Sequence, residues 1–176
     1  MKKLTAVAAL ALFATALSAQ APTPRPIELG IDAAVDIGLD DGSNTEISIP
    51  APTFRIGIPI SPRVSLEPKF GLRIRTGNDN TSTTYRGELG LLYHFGSDRY
   101  PGAFQRAGLY ARPFVGLTDT SVGDSETSGL LGVGLGYKIP IISRLSSRFE
   151  ANFQHLFGDA DANVIGLLAG LSFFTR

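Results

Sequence analysis

From Val64 to Arg75 apolar and polar residues alternate without interruption. Val64, Leu66, Pro68, Phe70, Leu72 and Ile74 share one parity, and Ser65, Glu67, Lys69, Gly71, Arg73 and Arg75 share the other. A period of two sends successive side chains to opposite faces of an extended strand. A helix would scatter Glu67, Lys69 and Arg73 around its circumference and leave no apolar stripe. The same alternation predicts seven more strands, near 29–39, 46–60, 85–95, 108–117, 129–139, 148–157 and 164–174. In the second of these the apolar parity switches across Pro50-Ala51-Pro52, which predicts a bulge or bend.

Eight strands in hairpin order, each roughly ten residues long, meet the requirement of a small closed barrel. The predicted fold is therefore all-β, a closed eight-stranded antiparallel up-and-down barrel. Its connections fall into two classes. Residues 40–46, 76–84, 118–128 and 158–163 are rich in Asp, Ser, Thr, Asn and Gly, whereas 61–63, 96–107 and 140–147 carry Pro and Arg. An even-stranded barrel puts alternate connections on opposite rims, so one rim is acidic and the other basic. The acidic class contains no Lys or Arg.

Within the strands every charge lies on the non-apolar parity: Asp32, Asp36, Arg55, Glu67, Lys69, Arg73, Arg75, Arg86, Glu88, Arg112, Lys138, Arg148 and Glu150. A secreted soluble barrel would turn that face to water and bury the apolar one. An outer-membrane barrel turns the apolar face to lipid and fills its lumen with the charges. Aromatics on the apolar parity favour the membrane reading, because they gather toward strand ends as interfacial girdles do. Tyr93, Phe95, Tyr137, Phe149 and Phe173 are expected toward one rim, and Phe54, Tyr85 and Phe157 toward the other.

The chain's first residues point to export. Met1-Lys2-Lys3 is basic, Leu4–Leu17 is an apolar run, and small residues follow at Ser18 and Ala19. That is the layout of a cleavable signal peptide over residues 1–19, leaving 20–28 as an N-terminal periplasmic segment and 29–176 as the barrel. No other apolar run reaches the roughly 20 residues of a helical membrane span. Cysteine is absent, which excludes disulfides and thiolate chemistry. Without Lys2 and Lys3 the chain has 14 basic and 16 acidic residues, a balance that gives no reason to expect a nucleic-acid partner.

Residues 130–138, Leu-Leu-Gly-Val-Gly-Leu-Gly-Tyr-Lys, resemble the glycine-tyrosine strand of small eight-stranded outer-membrane barrels of the OmpA and OmpX type. Gly170, Leu171 and Phe173 are similar to that family's C-terminal signal to the barrel-assembly machinery, although Thr175 and Arg176 extend past it. The resemblance implies an integral outer-membrane protein surrounded by lipid and lipopolysaccharide, of the porin-like cell-envelope class, without a cofactor.

A lumen only as wide as its side chains cannot hold unpaired charges, because one uncompensated buried charge costs several kcal/mol. Cross-strand pairs are therefore expected, such as Arg73 with Glu88 and Lys138 with Glu150. A plugged lumen suits a structural, envelope-stabilising or surface-interaction role. The excess of bases leaves open a narrow gated channel with weak anion preference. Asp40 and Asp41, with Asp159 and Asp161, are candidates to hold divalent cations against lipopolysaccharide phosphates, but they lack the full spacing of a calcium loop. His94 and His155 fall on opposite faces and opposite rims, so no nucleophile–base arrangement is expected and the chain does not read as an enzyme.

Overall fold

The computed structural model describes residues 26–39, 45–76, 81–95, 107–122, 124–159 and 161–175. The predicted signal peptide, the candidates Asp40 and Asp41, and the side chain of Arg75 lie outside the described residues. Eight strands follow in chain order: β1 (Glu28–Gly38), β2 (Thr45–Pro59), β3 (Val64–Thr76), β4 (Thr81–His94), β5 (Gly108–Val122), β6 (Asp124–Ile142), β7 (Leu145–Gly158) and β8 (Ala162–Phe174). Each strand pairs antiparallel with the next. β1 pairs with β8 from Glu28↔Phe174 to Gly38↔Val164, which closes the sheet into a barrel. Closure satisfies the backbone of both edge strands, the condition for strands to cross a bilayer. The all-β antiparallel barrel expected from the alternation is the fold that forms.

The strands are longer than the pattern suggested. Of residues 118–128, expected as a loop, 118–122 and 124–128 form the paired end of the β5–β6 hairpin, from Thr118↔Ser128 out to Val122↔Asp124. Polarity there marks solvent, not irregular backbone, and its β-branched Thr residues suit a strand. At the opposite rim most of 140–147 is strand too, leaving Ser143 and Arg144 as the turn between β6 and β7. The bulge is where the parity switch put it. Asp32 pairs with Thr53 and Ala34 with Ser48, so residues 49–52 stand opposite Ala33 alone.

Parity decides which face each side chain takes. The outward set includes Val133, Leu135 and Leu117, at 54, 56 and 60 % exposure, while the inward Arg55 and Arg148 are fully buried. Glu28 corrects a boundary. It is the first residue of β1, not part of a segment before the barrel, and it lies buried inside, in phase with Gly30 and Asp32.

Candidate functional site

The lumen is where the chain concentrates its chemistry. Glu28, Asp32, Arg55, Glu67, Lys69, Glu88, Arg112, Lys138, Arg148 and Glu150 are all buried there. Most of them form one continuous chain of ion pairs running along the barrel. Near the rim where β1 begins and β8 ends, Lys138 Nζ donates to Glu28 Oε2 at 2.5 Å. Arg55 spans the next level: Nη1 donates to Glu28 Oε1 at 2.5 Å, Nε to Asp32 at 2.9 Å, and Nη2 to Ser172 Oγ at 2.6 Å. Arg148 follows, donating from Nη1 to Glu67 Oε2 and from Nη2 to Glu150 Oε2, both at 2.5 Å. Arg112 donates to Glu150 Oε1 at 2.9 Å and to Glu88 Oε2 at 3.0 Å. Arg86 ends the chain, donating to Glu88 Oε1 at 2.7 Å and to the Gln154 amide oxygen.

Neither pair expected from the sequence forms as drawn. Arg73 stands opposite Thr84 in the β3–β4 register, while Glu88 stands opposite Lys69 and is taken by Arg86 and Arg112. Lys138 lies opposite Arg148, and it reaches Glu28 on β1 instead of Glu150. The partners are found through the lumen, not along the wall. Arg148 on β7 pairs with Glu67 on β3, and Lys138 on β6 with Glu28 on β1.

Two aromatic side chains of β5 lie inside the barrel and escaped the alternation. Tyr110 is fully buried; its Oη donates to Glu150 at 2.8 Å and accepts from Arg148 Nε at 2.6 Å. Its ring also lies 4.9 Å from the Arg148 guanidinium, a cation–π approach. Phe114 is buried four residues on, with the Arg112 guanidinium 4.2 Å from its ring centre. Glycines on the facing strand make room for both. A Cβ at Gly136 would collide with the Tyr110 ring and one at Gly132 with Phe114. Glycines at 132, 134 and 136 beside a neighbouring strand with inward aromatics were the available signal.

Beyond this network, toward the rim of the β1–β2, β3–β4, β5–β6 and β7–β8 hairpins, the lumen widens into a cavity of about 220 Å³. Lys69, Arg73, Arg86, Glu88 and Asp36 are among its lining residues.

All eight candidate girdle aromatics project outward, with exposures from 41 to 55 %. Tyr93 and Phe95 pack edge to face, their centroids 5.1 Å apart, where β4 ends. Phe54 is displaced from the rim expected for it. It pairs with Ile31 and with Phe70 near the middle of β3, nine residues into β2. Leu171 and Phe173 face outward and Gly170 faces Asp32, so the C-terminal motif forms part of the closing strand. At the acidic rim Thr127 donates from its backbone to Asp159 at 2.9 Å and from its hydroxyl to Asp119 at 2.8 Å. His155 Nε2 stands 4.0 Å from Asp161. No group of three or more potential metal-ligating side chains occurs among the described residues. His94 is buried at the other end of the barrel beside Ser65, so the two histidines do not meet.

The sequence model for the outer membrane protein beta-barrel domain matches residues 4–173. No curated protein is a significant match. Among solved structures, Neisserial surface protein A superposes with a TM-score of 0.60 at 14 % identity, covering 84 % of this chain and 95 % of that one. Ail, the attachment invasion locus protein of Yersinia pestis, is similar in complex with the heparin analogue sucrose octasulfate, with a TM-score of 0.54 at 11 % identity over 85 % of this chain and 97 % of that one. In a phospholipid bilayer nanodisc Ail gives 0.53 at 14 % identity over 85 % of this chain and all of that one. At these identities the likeness is one of fold.

Proposed function

The chain belongs to the outer membrane protein β-barrel domain family, and from that premise we propose that it is a sealed barrel with a structural, envelope-stabilising or surface-interaction role. The observation that carries this reading is the buried ion-pair chain from Lys138 to Arg86. An eight-stranded lumen is just wide enough for its own side chains. A through-path would require parting these pairs, and exposing one buried charge without its partner costs about 3–5 kcal/mol.

In this reading residues 1–19 are removed as a signal peptide. Gly170, Leu171 and Phe173 address the assembly machinery, and the outward apolar face meets lipid and lipopolysaccharide. The rim where β1 begins and β8 ends lies on the periplasmic side, and the hairpin ends bearing Asp119, Glu126, Asp159 and Asp161 lie outside. A partner docking on that rim carries basic groups. Divalent cations linking these acids to lipopolysaccharide phosphates belong to the same picture, and a thermal transition identical in Mg²⁺ and in EDTA would remove them from it. Fractionation of the tagged protein should place it in the outer membrane, with a folded band that shifts on boiling. Planar bilayers should show no unitary current. Steady single-channel openings would overturn the sealed lumen and favour the narrow anion channel.

A further inference from the structure

We propose that the cavity at the acidic-rim end of the lumen is a binding site for a small oxyanion of the phosphate or sulfate type, with Lys69 as its anchor. The inference rests on the sealed-lumen reading, since an open path would let an anion pass instead of dwell.

Charge balance is the starting point. The deeper network sets Arg55, Arg112, Lys138 and Arg148 against Glu28, Asp32, Glu67 and Glu150, four bases against four acids. Among the described residues, the cavity above it is lined by the bases Lys69, Arg73 and Arg86 and by two acids, Asp36 and Glu88. Glu88 is already held by Arg86 at 2.7 Å and by Arg112 at 3.0 Å. Among the described residues, the positive excess of the lumen is therefore in the cavity.

Lys69 is the particular sign. Its side chain is nine-tenths buried and lines the cavity. Among the described residues its ammonium makes no hydrogen bond and no ion pair within 4 Å. Its cross-strand neighbour Glu88 attracts it without closing a pair. Every other buried cation in the lumen closes at least one ion pair at 3.0 Å or less. An ammonium carries three donors and has no reason to leave water for a dry wall, so the cavity must supply acceptors. About 220 Å³ holds roughly seven waters, or one tetrahedral oxyanion with some of its hydration shell. The lining also includes Thr118 and the amide of Asn152, and the guanidinium planes of Arg73 and Arg86 add positive charge around an anion with several acceptor oxygens. Chloride could use only part of that donor set. The acid nearest the cavity mouth on β5, Asp119, sits on the outward parity and accepts from Thr127, so it does not compete for the site.

The test is a titration of the full-length mature barrel in micelles, followed by amide resonances, with inorganic phosphate against chloride at constant ionic strength. Phosphate should give saturable shifts confined to residues around Lys69, Gly71, Arg73, Thr84 and Thr118. Lys69→Met should weaken binding about tenfold or more, the effect of losing one charge-assisted contact. That variant should keep its heat-modifiable band, because Glu88 retains two arginines. Should it fail to fold, Arg73→Gln provides the same comparison. Equal shifts with chloride, shifts that never saturate, or undiminished binding in a folded Lys69→Met protein would each overturn the site. A second arm uses nanodiscs containing lipopolysaccharide and no added phosphate. Shifts there would identify a lipid phosphate as the source, and their absence, with phosphate binding retained, a free ion. Conductance separates the two readings: a silent barrel that ignores phosphate loses the site alone, and a conducting barrel loses the sealed lumen.

Discussion

Replacing Glu150 by Gln removes one charge from the middle of the lumen while keeping the side chain's shape. Its two oxygens now receive Arg112 at 2.9 Å, Arg148 at 2.5 Å and Tyr110 at 2.8 Å. Gln keeps one acceptor and turns the other into an NH₂ group, which would then point its hydrogens at a guanidinium or a phenol. The four-to-four balance of the deeper network becomes a net positive charge. Removing one partner of a buried pair costs about 3–5 kcal/mol. Both arginines keep another carboxylate, Glu88 for Arg112 at 3.0 Å and Glu67 for Arg148 at 2.5 Å, which places the expected loss at the low end, about 3 kcal/mol. For a chain of this size that lowers the transition by roughly 6–12 °C. The midpoint is read from the band shift on heating, or from the loss of strand signal by circular dichroism in micelles. Glu126→Gln, at the exposed rim, serves as control and should stay within about 0.5 kcal/mol of the parent. Pairing Glu150→Gln with Arg112→Gln should cost less than the sum of the single changes, because the two residues share one contact. A midpoint that matches the control, or strict additivity in the double variant, would refute the reasoning.

Glu88→Ala should destabilise by about 3 kcal/mol in the same assay, coupling to Arg112 and not to Arg73, which is not its partner. Gly136→Ala should cost about 1–3 kcal/mol through overpacking against Tyr110 and the Phe149 carbonyl, and Tyr110→Leu should restore only part of it. Val133→Arg, on the outward face midway along β6, should cost about 2–4 kcal/mol in a bilayer, and a variant as stable as the parent would argue against lipid on that face.

The barrel was legible because period-two alternation is a local property. Eight runs of it, with every charge on one parity, leave a closed sheet as the consistent arrangement. The inward face of the charged strand residues followed at once, Asp32, Glu67 and Arg148 among them. What stayed hidden is non-local. A strand pattern identifies neighbours along the wall, but closure and tilt decide which side chains meet across the lumen. Arg55 therefore finds Ser172 on β8, and Arg148 finds Glu67 on β3, at separations in sequence no pattern encodes. Strand ends are hidden for a different reason. Ser and Thr in 118–128 signal water, and polar hairpins that project past a membrane are wet and still paired. Glu28 was missed because it precedes the first apolar residue of its run, although its parity with Gly30 and Asp32 already matched the inward face.

A lumen filled with leucines would be as stable as this one or more so, since hydrophobic replacements of buried ion pairs are often neutral or stabilising. Such a barrel would lose the difference between its two faces. Slipping a strand by one residue exchanges them, and in β3 that slip would carry Glu67, Lys69 and Arg73 into lipid. Each base at the bilayer midplane costs about 2–4 kcal/mol, so the charged face selects the register more strongly than it deepens the native state. The two effects can be separated by removing a balanced pair, Glu67→Leu together with Arg148→Met. The pair's own contact at 2.5 Å is lost on both sides at once, while Arg55 keeps Glu28 and Asp32, and Arg112 keeps Glu88 and Glu150. The double variant should melt within about 1 kcal/mol of the parent, in line with such replacements elsewhere. After dilution from urea into micelles it should give a smaller fraction of the fast-migrating folded band, because slipped registers are no longer penalised as strongly. A lowered midpoint with an undiminished folded fraction would reverse the assignment, making the network a source of stability and leaving register to the hairpins.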